Sequence, residues 1–127
     1  MMLPFTLDME RVALDIWGGP EDIGATTVEG PIAVSGKILF GSLKSPVSGG
    51  LYAASQGKYR VTYSFHEHAT LLDGQLALTD EATGQTVEYG PGDSWIIAQG
   101  TTVLWDIRSS HIRKSYLAVT SASEAQT

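Results

Sequence analysis

Glu67 and Lys114 are the residues with the most chemistry to offer in this chain, and His66 and His68 flank the first of them. The run YSFHEHATLLDG at 63–74 alternates as a strand does, so residues two apart share a face. If Glu67 points inward, His66 and His68 both point outward. A bulge would change that. A metal held by the His-Glu-His triplet is therefore the minority reading, and two histidines on a sheet face or a subunit contact is the plainer one. Glu67 is the stronger candidate. A carboxylate on an apolar wall is costly unless paired. Partial burial would suit it to general acid or base work. The alternative is a carboxylate simply held by a nearby cation, Arg60 or Lys114. Both readings stay open.

Lys114 and Tyr116 lie two apart and share a strand face. Trp105 belongs on a neighbouring strand. With Tyr63, Phe65 and Glu67 they would line one pocket, its aromatic walls carrying a few convergent polar groups. Lys114 or Arg60 would attract an anionic group, Glu67 would act as acid–base residue or acceptor, and Trp105 and Tyr116 would form walls. Aromatics can also just fill a small barrel. Glutamate and lysine are expensive core fillers, which tips the balance toward a pocket.

The elements that must position these residues are short strands. Fourteen glycines in 127 residues imply many tight turns. Ile32 and Val34 read as a first strand and Lys37–Phe40 as a second. Leu51–Ala54 follows the turn composition KSPVSGG. Tyr59, Val61, Tyr63 and Phe65 then alternate with polar residues. Asp73-Gly74 is a preferred hairpin pair. Ala82-Thr83-Gly84 and Pro91-Gly92-Asp93 turn the chain again, with Gly92 and Asp93 in structural roles. Trp95–Ala98, Thr102–Ile107 and His111–Val119 complete the set, with His111 at the surface. Residues 1–30 are an N-terminal arm or an edge strand, and Asp8 could cap a helical turn over Met9–Leu14. The tail 120–127 should fray. Strands at this spacing predict one all-β domain, a six-to-ten-stranded antiparallel jelly-roll barrel.

From about Gly57 to Tyr116 the residues resemble the cupin superfamily, most closely the small single-domain branch related to ethanolamine-utilisation and ureidoglycine-aminohydrolase cupins. Glu67 and Gly74 keep the glutamate-to-glycine spacing of the first cupin motif. Gly92 and Gly100 fit the second, with Ala98 where proline is usual. Trp105 and Arg113-Lys114-Ser115-Tyr116 match the features of the small branch. The resemblance implies a double-stranded β-helix of the RmlC-like kind, a role in small-metabolite catabolism, and pairing through sheet edges and N-terminal strands. The usual ligand histidines fall on Arg60, Thr62 and Val103, and the aminohydrolase positions fall on Val61 and Tyr63. The metal site is thus degenerate, and Glu67 becomes a leftover ligand; one carboxylate does not fix a divalent ion, since catalytic sites use about three protein ligands. No cofactor is expected.

The totals narrow the field further. Without cysteine there is no disulfide, thiolate site or cysteine nucleophile. A net charge of −6 with scattered lysines and arginines disfavours nucleic acid. No apolar run approaches a membrane span of ~20 residues, and no secretory signature opens the chain, so a cytoplasmic protein is the default. The expectation is a homodimeric barrel binding a small polar or anionic metabolite, as an enzyme or as a non-catalytic sensor or accessory barrel.

Overall fold

The computed structural model describes residues 1–9 and 12–121. Nine strands run in chain order: β1 (Asp15–Gly18), β2 (Ala25–Glu29), β3 (Val34–Phe40), β4 (Val47–Thr62), β5 (His66–Asp73), β6 (Leu76–Asp80), β7 (Gln85–Tyr89), β8 (Ser94–Ile97) and β9 (Thr102–Val119). A 3-10 turn, Pro20–Ile23, separates β1 from β2. All pairings are antiparallel. The fold is an all-β jelly-roll barrel. No helix among the described residues is long and apolar enough to cross a membrane.

Two long strands organise everything. β4 and β9 pair along their whole length, from Val47↔Val119 to Thr62↔Thr102, with a register shift between Ser55 and Gly57. On one side of that shift they join β1, β3, β5 and β8, in the order β1-β3-β4-β9-β5-β8. On the other side they join β2, β6 and β7. The paired strands bend at the shift, so that each belongs to both halves of the barrel. Side chains from the two halves then meet: Trp95 on β8 packs edge-on against Trp105 on the far half of β9, with ring centroids 5.9 Å apart.

The bend explains several departures from the sequence reading. Leu51–Ala54 and Tyr59–Thr62 are parts of one strand, and so are Thr102–Ile107 and His111–Val119. Gly57 and Ser109-Ser110 lie at the bend, where the β4–β9 register shifts. Asp73-Gly74 is not a hairpin either. β5 and β6 do not pair with each other; both run along β9, one after the other. Gly74, with φ +94°, kinks the chain between them, and a Cβ there would sit 2.3 Å from the His111 carbonyl oxygen. The true hairpin is β6–β7, closed at residues 81–84.

Residues 1–30 contribute more than an arm. β1 and β2 both fall there, ahead of the strand expected first. β1 is an edge strand paired to β3. Of the helical turn expected over Met9–Leu14, Met9 is in 3-10 conformation, Val12–Leu14 are not helical, and residues 10 and 11 lie outside the described residues. Instead the Arg113 guanidinium donates to the carbonyl oxygens of Met9 and Val12, at 2.6 and 3.1 Å, and straps the arm onto the barrel. The frayed tail expected over 120–127 lies, from 122 on, outside the described residues.

Candidate functional site

The interior alternation of β4, β5 and β9 aims a carboxylate and an ammonium at each other. Glu67 is 3% exposed and Lys114 5%. Lys114 Nζ donates to Glu67 Oε2 at 2.8 Å. The other carboxylate oxygen is also occupied: the Tyr63 hydroxyl donates to Oε1 at 3.2 Å and the Trp95 indole N–H at 3.0 Å. Charge-assisted bonds of this kind are about twice as strong as neutral ones, and here they hold an acid that would otherwise be costly to bury.

Aromatic rings surround the ammonium. Lys114 Nζ lies 4.5 Å from the Trp105 ring centroid, 4.8 Å from Tyr52, 5.9 Å from Tyr116 and 6.0 Å from Trp95. Each face offers negative quadrupole density to the cation. Burial pulls the Lys114 pKa below its ordinary value, while the Glu67 charge and hydrogen bond pull it back up. Burial likewise pushes Tyr52, Tyr59 and Tyr63 up, so their hydroxyls stay neutral donors. Tyr52 and Tyr59 share a hydrogen bond of 2.8 Å between hydroxyls. Tyr59 stacks on Trp105, with centroids 5.3 Å apart.

One polar atom in this interior is unmatched. Trp105 is 1% exposed, and its indole nitrogen makes no full hydrogen bond among the described residues. The Tyr63 hydroxyl is near enough to feel that N–H, which favours its ionised form against the larger opposing effect of burial.

The fold thus brings Glu67, Lys114, Tyr63, Trp105 and Tyr116 together. Phe65 stands beside Tyr63, edge to face at 5.4 Å, at the margin of the group. Arg60 is elsewhere. It sits on the outer side of β4 and pairs with Glu81 at 2.6 Å. The reason is parity: Tyr59 is buried, and its neighbour must face outward. Glu67 is held by Lys114 and not by Arg60.

Glu67 and Lys114 are buried, not exposed at the wall of a cleft. Among the surface concavities of the described residues are one of about 460 Å³ beside Ile38 and Leu43 and one of about 280 Å³ between Phe5, Phe40 and Leu117. Neither is lined by Glu67 or Lys114. The rings expected as walls pack around the ion pair and close over it. Tyr52 and Trp95 complete that shell without having been anticipated. Their signal was positional: Tyr52 pairs in register with Lys114, and Trp95 shares its face with Ile97, the partner of Glu67.

His66 and His68 fall on the opposite side of β5 from Glu67. His68 is exposed, and His66 Nδ1 accepts from the Gln99 backbone N–H at 3.0 Å. Among the described residues no three histidine, aspartate or glutamate side chains form a metal-ligating group. A divalent ion does not fit the donors at the barrel centre: a single carboxylate is present, and its oxygens already receive Lys114, Tyr63 and Trp95.

Known proteins place this architecture. The chain superposes on the Clostridium difficile EutQ protein with a TM-score of 0.60 at 21% identity, covering 72% of this chain and 71% of that one. A protein of unknown function from Pseudomonas syringae pv. tomato str. DC3000 gives 0.73 at 20%, over 86% of this chain and 45% of that one. A putative ethanolamine utilization protein Q from Salmonella typhimurium LT2 gives 0.57 at 19%, over 71% and 70%. At such identities these likenesses bear on the fold. No curated protein matches the sequence. The EutQ-like cupin domain matches residues 42–116, more than half of the chain and the part that carries the ion pair. The chain therefore belongs to the EutQ-like cupin family.

Proposed function

We propose that this cupin binds a small polar metabolite, and that the Glu67–Lys114 pair is its recognition element. The observation that carries the reading is a carboxylate and an ammonium, 3% and 5% exposed, inside an aromatic shell. A buried ion pair is a poor way to stabilise a core, because desolvation offsets most of its Coulombic gain. Well-packed hydrocarbon would serve a purely structural barrel as well or better. Fixed, buried, opposite charges are useful for orienting a ligand. Lys114 presents a cation to an anionic or acceptor group, and Glu67 presents an acceptor to a hydroxyl or amine. A catalytic step by this pair, with Glu67 as acid–base residue, is the finer form of the same proposal. Entry requires the rings over the pair to part. One structural neighbour is named as a putative ethanolamine utilization protein, so amino alcohols and small hydroxy acids are the first compounds to try.

The sealed interior favours one competing reading, an accessory barrel in which the pair only orders the core. A thermal-shift panel separates the two. A ligand at ~100 times its Kd adds about 2.7 kcal/mol, or about 10 °C for a domain of this size. The binding reading expects such a shift in the native protein and its loss in Glu67→Gln/Lys114→Met. If no small polar compound moves the melting point, or if the shift survives in that variant, the accessory reading wins.

A further inference from the structure

Donors and acceptors at the barrel centre do not balance. Glu67 Oε1 already accepts two hydrogen bonds, from Tyr63 and Trp95. Oε2 accepts one, from Lys114. A carboxylate has about four lone-pair sites, so one is left on Glu67. Donors are in larger supply. Lys114 carries three N–H groups and gives one of them to Glu67. The ring faces around it attract its charge but are weak acceptors for the individual N–H bonds. The Tyr52 and Tyr59 hydroxyls meet at 2.8 Å, a contact that uses one of their two protons. The Trp105 indole N–H, on a residue 1% exposed, has no hydrogen-bond acceptor among the described residues. It belongs to the nearest of the four rings around the ammonium, with its centroid 4.5 Å from Lys114 Nζ.

Given that the pair binds a ligand, as proposed above, we infer that the end it recognises is a carboxylate, with one oxygen on Lys114 Nζ and the other on Trp105 Nε1, and that Trp105 selects it. Of the two compound classes named above, this keeps the small hydroxy acids and rejects the amino alcohols. The hydroxyl of such an acid takes the site left on Glu67 Oε2. An indole N–H only donates, and an ammonium only donates, so neither can serve the other. A buried donor without a partner is costly, and an arriving oxygen removes that cost. The place for a cation is also taken. Lys114 itself fills the box of rings and holds Glu67 Oε2. A ligand ammonium would have to lie beside it, cation against cation, or expel it. A carboxylate meets a cation flanked by unspent donors instead. Tyr116 marks the way in: of the four rings about the ammonium it is the one only half-buried.

Size-matched pairs of compounds test this on the native protein by nitrogen-edited NMR: formate against methylammonium, glycolate against ethanolamine, and lactate against isopropanolamine. At least one carboxylate should move the Trp105 indole proton downfield, as a new hydrogen bond does, while its matched amine leaves that proton in place. The Trp95 indole, already bonded to Glu67, should move less. Trp105→Phe keeps a ring beside Lys114 and should weaken carboxylate binding about tenfold, the worth of one hydrogen bond to a charged group, with an unchanged far-UV circular dichroism spectrum. An amine that binds as tightly as its matched carboxylate overturns the inference and leaves the binding reading standing. So does a carboxylate that moves the Lys114 and Trp95 signals but not the Trp105 proton, which is the result expected if a held water is that proton's only partner. If none of the compounds moves an interior signal, the inference and the binding reading fall together.

Discussion

The inner and outer faces of β5 and β9 each carry an exception to the usual arrangement. Inside, Glu67 and Lys114 are charged and sealed; outside, Leu117, and Ile96 on the adjoining β8, are apolar and open. These opposite faces are built from alternating positions of the same strands: Glu67 beside His68, Lys114 beside Ser115, Tyr116 beside Leu117. Solubility and core packing alone would place hydrocarbon within and charge without. Two exceptions on one sheet therefore mark two separate demands on the molecule. The inner one is a buried pair of fixed charges, and the outer one is an exposed apolar surface. The exposed pair Arg60–Glu81 supplies the control, because it is an ion pair with neither demand upon it.

The largest effect comes from splitting the inner pair. Lys114→Met leaves a carboxylate buried without its cation, and urea denaturation should show a loss of about 3–5 kcal/mol. Glu67→Gln/Lys114→Met should recover most of it, because the amide still accepts from Tyr63 and Trp95 and no charge is left unpaired. A single variant as stable as the native protein would mean that the pair is hydrated, and the contrast between faces would collapse.

Alkaline pH sharpens the contrast next. Burial raises the pKa of Tyr52, Tyr59 and Tyr63 above the usual tyrosine value. The unfolded chain thus loses these protons first, and stability falls once the pH passes about 10. Each such phenol contributes up to about 1.4 kcal/mol per pH unit in that window. Lys114, with its pKa lowered, works in the opposite sense below its ordinary value, but it is one group against three. Tyr52→Phe/Tyr59→Phe should flatten the alkaline limb of a melting-temperature profile. An unchanged limb would place the titration outside the barrel.

Gly74 joins the two halves. Alanine there needs a left-handed backbone and meets the His111 carbonyl, so Gly74→Ala should cost about 1–3 kcal/mol in urea unfolding. A neutral substitution would mean that the β5–β6 kink is not fixed. The smallest effect belongs to the control: Arg60→Ala should change stability by about 0.2–1 kcal/mol, because an exposed pair gains little. A loss matching that of Lys114→Met would erase the distinction between the two pairs.

Much of the barrel is legible in period-2 patterning. β6, β7 and β8 follow from alternation closed by turns, and the opposite facing of Glu67 and the histidines follows from parity alone. What misleads is the bend. Gly57, Ser109-Ser110 and Asp73-Gly74 have turn chemistry, yet they kink strands that continue, because a closed barrel must bend its long strands somewhere. The grouping of Glu67, Lys114, Tyr63, Trp105 and Tyr116 was reachable through shared strand faces and the expense of burying a glutamate and a lysine. Tyr52 and Trp95 were not, since alternation reports which face a residue takes and not which residue lies across from it. Arg60 was misassigned for a local reason: its parity opposes that of Tyr59, and the pull of a cation toward a carboxylate does not override a strand register.

On the reading proposed above, the buried interior, and not the open outer face, receives the ligand. Nitrogen-edited NMR tests this most directly, through the Lys114 ammonium, the indole N–H groups of Trp95 and Trp105, and the backbone amides of the outer face. Titration with a compound that raises the melting point should shift the Lys114, Trp95 and Trp105 signals and leave His68, Ile96 and Leu117 in place. Shifts confined to the outer face, with the interior signals unmoved, would contradict it.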